Sequence, residues 1–237
     1  MTIISPTTEI LSNPTTGAPY TKSDADSILK HLELCARNCY HSEDKITEDS
    51  ARRMLRTLLL REHESPIEHV SVSVRFVCDR GISHEVVRHR IASFSQESTR
   101  YCNYSHGKFG TETAVIDLSG GLRLDNSVSL LHPEQIDAIY EEWTAACTDA
   151  EMHYFKMLEL GATPQIARSV LNNSLKTDLI VTMNMREWRH FFKLRCANAA
   201  HPQMREVALD LLRKMYDLFD VVFEDLYQEF ISGGSAA

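Results

Sequence analysis

Apolar residues recur along this chain with two periods, and the switches between them mark out its elements. From Ser23 to about Tyr40, Ile28, Leu29, Leu32, Leu34 and Cys35 follow a helical spacing. Thr47 reads as an N-cap. Glu48 and Asp49 then fall in the first turn, where the helix dipole favours carboxylates, and Met54, Leu55 and Leu58 carry this helix to about Arg61. Pro66 breaks the segment HESPIEH. Period two takes over next: Val70, Val72, Val74, Phe76 and Cys78 alternate with Ser71, Ser73 and Arg75, which predicts a strand with one buried face. Gly81 is the expected end of that strand, followed by a short helix over about Ile82 to Arg90.

The following forty residues carry no clear period. Strand candidates lie at Tyr101–Tyr104 and Ala114–Leu118, and Gly120–Gly121 predicts a turn. Pro133 suits the first position of a long helix to Leu160, because the N–H that proline lacks would have no partner in the helix there in any case. Gly161 stops it, and Pro164 opens a further helix carrying Arg168. Leu179–Met183 reads as a second strand. Asn184 with Glu187 three residues on resembles a capping box, opening a helix through Trp188, Phe191 and Phe192 to Arg195. The last helix runs from about Pro202 to Phe230, and its apolar stripe from Leu211 to Leu226 suits a core or a subunit interface. The pattern predicts an α+β chain: one helix-rich domain over residues 1–231 with a small central sheet. Residues 1–20 read as an extended, loosely held arm and 232–237 as a disordered tail.

Composition narrows the function classes. No stretch approaches the roughly 20 apolar residues of a membrane span, and MTIISPTTEILSNPTTGAPY lacks the pattern of a secretory signal. Six cysteines without a C-x-x-C pair read as reduced thiols, hence a cytoplasmic protein. A net charge of −8 argues against a long nucleic acid, although a few arginines suffice for one phosphate. With nine glycines and neither a G-x-G-x-x-G nor a P-loop, any dinucleotide is held by a non-Rossmann fold.

Arg88-His89-Arg90 carries the first chemical signal. Neighbours on a helix diverge by about 100°, so the three splay towards different partners, or one is buried and two are exposed. By itself the triplet also fits a helix end decorated with cations. Ser93, Ser95, Ser98 and Thr99 then bring four hydroxyls into seven residues, with Gln96 and Glu97 among them and Arg100 closing the run. Hydroxyls and an arginine fork are what a phosphate monoester and a ribose require.

RHR, seven residues, Ser, any residue, Arg: this spacing resembles the signature of the flavin-dependent thymidylate synthase family. HESPIEH, ARSVL around Arg168 and NMREWRHFFKLR from Asn184 to Arg195 extend the likeness over residues 30–215. The resemblance implies a non-Rossmann α+β fold and a homotetramer with active sites shared at subunit interfaces. It implies transfer of a methylene from 5,10-methylenetetrahydrofolate to dUMP and its reduction by an FAD hydride that NADPH supplies, giving dTMP and tetrahydrofolate. By matching positions, Glu85, Arg88, Gln96, Glu97, Ser98, Thr99, Arg100, Arg168 and Arg195 bind dUMP. Cys39, His63, Ser65, Arg88, His89, Arg90, Ile91, Gln96, Asn184, Arg186 and His190 hold FAD. Arg195 is the catalytic residue, a fixed guanidinium beside the uracil that stabilises an enolate-like ring. No metal and no membrane or nucleic-acid partner is expected.

Five positions depart from the family. Glu85 stands where Gln is common and Gln96 where Glu is common, as if the side chains had been exchanged; as neighbours they would preserve total charge. Cys39 replaces a Ser, Ser65 a Thr, and Ala199 a His whose role the shifted His201 does not inherit. Rival readings are weaker. His63-Glu64 opens like a zinc motif, but the next histidine is His69 and Pro66 intervenes. Cys102 and Ser98 lack an evident activating base for nucleophilic attack. RHR with Tyr101 and Tyr104 is too short for a nucleic-acid surface. The pairs Glu48-Asp49 and Glu141-Glu142 point apart on their helices, which disfavours a metal-dependent hydrolase.

Overall fold

The computed structural model describes residues 1–105 and 111–233, so the expected tail lies outside the described residues from 234 onward. The chain opens with β1 (Thr2–Ile4) and β2 (Thr7–Ile10), then α1 (Lys22–Asn38) and α2 (Ser50–Leu60). Next come β3 (Ser71–Asp79), α3 (Arg80–Val86), β4 (Ser93–Gln96), β5 (Ala114–Ile116) and α4 (Ser119–Leu124). The remainder is α5 (Pro133–Glu159), α6 (Pro164–Ala167), β6 (Lys176–Asn184), α7 (Met185–Arg195) and α8 (Pro202–Tyr227), ending in a π turn over Gln228–Ser232. The class is α+β and helix-rich, as the periodicity predicts.

The main sheet runs β2-β3-β6-β4, all antiparallel. Strands β3 and β6 pair along their full length, with Val74 opposite Val181 and Phe76 opposite Leu179. Val72, Val74, Phe76 and Cys78 face one side with Leu179, Val181 and Met183, all buried. Helix α7 lays Trp188, Phe191 and Phe192 over that face, and α8 covers them with Phe223. Burying each of these aromatic side chains contributes about 2–3 kcal/mol. On the opposite side of the sheet, Ser73 and Thr182 share a hydroxyl pair at 2.7 Å and Arg75 donates to Asp178 at 2.6 Å. A smaller cluster gathers Cys102, Tyr104, Tyr154, Ala167 and Leu175.

Several expectations change. The N-terminal arm is not loosely held: β2 is an edge strand of the main sheet and β1 pairs in parallel with β5. Thr8 is buried and donates to Asp210 Oδ2 at 2.5 Å, while Lys214 reaches the Thr8 carbonyl at 2.6 Å. The β-branched residues that resembled a loose arm suit strands instead. Helix α1 starts at a complete Thr21–Asp24 capping box. Helix α2 starts three residues past Thr47, because the Ser50 hydroxyl accepts from the Thr47 N–H at 2.8 Å and also bonds buried Glu33. Gly120 and Gly121 lie inside α4, where a Cβ on either would collide with the side chains of Glu206 or Gln203 on α8. Tyr101–Tyr104 is a turn rather than a strand: the N–H groups of Tyr101 and Cys102 both return to the Ser98 carbonyl.

Two differences position the chemistry. Gly81 does not end β3 from outside; it is the second residue of α3, which Asp79 caps by accepting from Ile82 N at 2.7 Å. Helix α3 stops at Val86, so Arg88–Arg90 lies in the turn beyond it, not on the helix. That turn leads into β4, an edge strand the polarity of Ser93 and Ser95 conceals, since only Phe94 packs against the core. Because α7 follows β6 directly, both ends of α7 meet this turn.

Candidate active site

Of the three residues in the RHR triplet, only His89 is buried; Arg88 and Arg90 are exposed. Of the two arrangements open from the sequence, the structure adopts the one with one side chain, the His89 ring, inside and two guanidiniums outside. The His89 ring packs on Phe191, with centroids 5.1 Å apart, and on His190 at 5.7 Å. Its Nδ1 lies 3.3 Å from Glu187 Oε1, and Arg195 Nε lies 3.2 Å from its Nε2. Arginine is always a donor, so Nε2 must be the unprotonated nitrogen. The ring proton then sits on Nδ1 and is donated to Glu187.

Burial, followed by the charges of Arg195 and His190, lowers the His89 pKa from 6.5 to about 4. Burial also raises Glu187, with His190 opposing. The neutral ring is therefore the form built into the fold. As pH falls through 6.5 the unfolded chain takes up this proton, while the folded chain takes it up only near 4. Stability should then decline between pH 6.5 and about 4, by up to about 3 kcal/mol from this group. Urea unfolding across that window checks it: in His89→Gln, which cannot titrate, the acid loss should be smaller by that part. An identical slope in both proteins would contradict the assignment.

Arg195, in the last turn of α7, is held from three directions. Besides Nε on His89, Nη1 donates to Glu85 Oε2 at 2.8 Å and Nη2 to the Glu85 carbonyl at 3.0 Å. Three of its five N–H donors are thus spent on α3 and the turn after it, leaving two. A guanidinium fixed in this way needs no reorganisation when charge develops beside it.

The part of the motif expected to meet the nucleotide is built from β4 and the turn beyond. Gln96 Nε2 donates to Ser83 Oγ at 2.9 Å and Thr177 Oγ1 at 3.2 Å. Glu85 and Gln96 therefore serve different partners, Arg195 for one and the Ser83–Thr177 hydroxyls for the other. The Glu97 carboxylate takes Lys176 Nζ at 2.9 Å, and its N–H goes to the Asp178 carbonyl. Thr99 is buried and accepts from Arg168 Nη1 at 2.9 Å, which ties the α6 end to the motif. Arg168 itself follows α6, in a short 3-10 turn. Ser98 Oγ accepts from Arg100 N at 3.4 Å, and the exposed Arg100 guanidinium lies 5.5 Å from the Tyr101 ring.

A cleft of about 470 Å³ opens beside His89, lined by Ile91, Asn184, Arg186, Glu187, His190 and Lys193 together with Glu64 and Glu68. Four residues expected at a flavin thus meet in one place. Arg186 and His190 share it by their i,i+4 spacing. Arg186 pairs with Glu68 and, at 3.7 Å, with Glu64, which also takes Lys193 at 3.3 Å. His63 and Ser65 belong to the turn that supplies Glu64 and Glu68, but neither lines the cleft. Cys39 ends α1 with its thiol on the Cys35 carbonyl. A larger cavity, about 690 Å³ under Leu122, Arg123, Ile136 and Tyr140, touches none of these residues. The smaller cleft is the better site because titratable groups and fixed donors converge on it.

Sequence reasoning did not single out Glu64, Glu68, Lys193 or Glu187 as site residues. Glu187 was visible only as half of a capping box. Asn184 does accept from Glu187 N at 2.9 Å, but the Glu187 carboxylate turns to His89 instead of returning to the cap. His89, Glu187 and His190 hold ligand atoms within 4.8 Å of one another. Both ring nitrogens of His89 are already engaged, one of them by a guanidinium, so the trio suits hydrogen bonding better than a cation. His201 caps α8 through Gln203 N, a structural role in keeping with its shifted position.

Residues 23–219 match the family model described as thymidylate synthase complementing protein. A flavin-dependent thymidylate synthase of Geobacter sulfurreducens is 33% identical over 201 residues, 82% of this chain and 80% of that protein. One from Pyrococcus furiosus is 33% identical over 76% of this chain and 68% of its own length. Among solved structures, a UMP/dUMP methylase, PolB from Streptomyces cacaoi, bound with 5-Br dUMP, superposes with a TM-score of 0.75 at 26% identity. That match covers 97% of this chain and 98% of the other. A signature at RHR-x7-S-x-R, a matching fold and relatives alike over most of their length agree: this chain belongs to the thymidylate synthase complementing protein family, that of the flavin-dependent thymidylate synthases.

Proposed function

We propose that the chain converts dUMP to dTMP, taking the methyl carbon from 5,10-methylenetetrahydrofolate and its reducing hydride from FAD that NADPH reduces. The C5–H bond of the uracil is replaced by C5–CH3: the methylene leaves its folate nitrogens, a hydride completes the methyl, and the C5 proton departs. Tetrahydrofolate is the second product. The observation that carries this reading is Arg195, clamped by His89 and Glu85 with two donors to spare, its partner His89 packed on His190 of the cleft.

Each part follows from the residues present. Ser98, Arg100 and Arg168, the last steadied by Thr99, form a phosphate cradle of hydroxyl and guanidinium groups. Gln96, fixed on Ser83, borders the nucleotide. Arg195 stabilises negative charge on the pyrimidine as electron density moves out of C5, acting as a fixed cation and not as a base. Asn184, Arg186, His190 and Ile91 offer the flavin a polar and an apolar wall, and Arg186 would exchange its surface pair with Glu68 for the ligand. The chemistry a bound flavin supplies is the two-electron reduction.

The assembly we propose is a homotetramer with shared sites. Arg88, Arg90, Ile91 and Cys39 are exposed in the single chain, as are Ile139 and Met152 on α5, so a neighbouring subunit has both site residues and apolar surface to meet. Six free cysteines support a reducing, cytoplasmic setting. Absorbance of the purified protein tests the cofactor directly. Flavin bands that dUMP perturbs are expected; a protein that stays colourless after incubation with FAD would overturn the reading.

A further inference from the structure

Among the described residues, Glu187 is the carboxylate that both lines the cleft and touches the Arg195 clamp, through His89. It lines the cleft, yet its Oε1 is 3.3 Å from His89 Nδ1. In a full capping box its carboxylate would return to the Asn184 N–H, but only the other half forms, Glu187 N–H to Asn184 Oδ1, so the side chain does not serve the cap. Asn184 alone would cap α7, and a carboxylate free of that duty is held in a mostly buried position against a ring that burial keeps neutral. A neutral imidazole has two tautomers, and nothing in the ring itself picks the one needed here. If the proton sat on Nε2, it would point at Arg195 Nε, donor against donor, 3.2 Å apart. The guanidinium would then lose one of the contacts that fix it. Phe191 and His190 pack the ring without selecting a tautomer. The other groups around it are Arg195 and Glu85, and neither reaches Nδ1.

We propose that Glu187 is a positioning residue: by accepting from His89 Nδ1 it keeps Nε2 open as the acceptor that aims Arg195. The effect on the reaction rests on the reading of Arg195 as the pyrimidine's partner; the effect on His89 does not. The chain of contacts runs Glu187 carboxylate, His89 ring, Arg195 guanidinium, with Glu85 closing the far side. Fixing orientation in this way matters because small displacements of a catalytic group cost large factors in rate.

Two measurements on the full chain test it, using Glu187→Met, which fills the space without an acceptor, and Glu187→Gln, which keeps an oxygen. The first is the 15N spectrum of ring-labelled histidines near neutral pH, with the His89 signals assigned by their loss in His89→Gln. The parent protein should show a protonated Nδ1 and a bare Nε2; Glu187→Met should mix or invert them, and Glu187→Gln should largely restore them. An Nε2–H tautomer in the parent, or an unaltered Nδ1–H tautomer in Glu187→Met, would overturn the proposal. The second is steady-state dTMP formation. Glu187→Met should lower kcat by about tenfold to a hundredfold, with a smaller change in KM for dUMP and with flavin bound. In a His89→Gln background the same change should cost nothing further, because its route is gone. Full additivity of the two would overturn action through His89. Absence of dTMP formation by the parent protein would instead sink the proposed function, while the 15N result would still decide the Glu187–His89 contact.

Discussion

Arg195→Ala should lower dTMP formation by about a hundredfold to a thousandfold, the usual effect of removing a preorganised donor, and leave most of the flavin bound. The separation of effects is the point. Arg195 donates to His89 and Glu85 but does not line the cleft that holds Arg186 and His190. Arg195→Lys should fall nearly as far, because an ammonium cannot reach His89, the Glu85 carboxylate and the Glu85 carbonyl together while keeping two donors for a ring. Turnover and the flavin spectrum, measured on the same preparations, check both variants. Retained turnover in Arg195→Ala would refute the role.

Arg189→Met should destabilise the fold by about 3–5 kcal/mol, read as a shift of the urea midpoint at fixed protein concentration. Arg189 is 1% exposed, the most deeply buried cation of α7. Its guanidinium grips Asp225 with two bonds of 2.7 and 2.6 Å, donates to the Val222 carbonyl at 2.5 Å and reaches Glu64 at 3.0 Å. It therefore joins α7 to α8 and to the turn before β3. Methionine fills the volume but leaves a carbonyl and part of two carboxylates without their partner, and that unpaired remainder carries the cost. A midpoint shifted by less than about 1 kcal/mol would show that the pair is dispensable.

The longer helices and the two long strands were legible because each buries one face. Val72, Val74, Phe76 and Cys78 alternate cleanly, and α7 and α8 keep their apolar residues at helical spacing. Short or edge elements were not legible. Strand β4 carries Ser93 and Ser95 and packs only Phe94, so it lacks a hydrophobic period. The N-terminal strands look like polar loop until Thr8 is seen buried against Asp210. Gly120 and Gly121 read as a turn because their close approach to α8 is a tertiary fact.

The same division holds at the site. RHR-x7-S-x-R and the Asn184–Arg195 segment were visible as motifs, and the structure brings Ile91, Asn184, Arg186 and His190 to one cleft. What no spacing could reveal is the contact across 98 positions between His89 and Glu187, or the way Glu85 and Gln96 divide between Arg195 and Ser83. Glu187 was hidden because its sequence context already had a structural explanation. Cys39, Arg88 and Arg90 remain at the surface of the single chain, where the shared subunit sites proposed above would take them up.

The most direct measurement is chromatographic analysis of products from dUMP, 5,10-methylenetetrahydrofolate and NADPH, with the protein stripped of flavin and then resupplied with FAD. A flavin-dependent thymidylate synthase built around Arg195 forms dTMP only when FAD is present and releases tetrahydrofolate with it. No dTMP at all, or dTMP formed without flavin and accompanied by dihydrofolate, would contradict it.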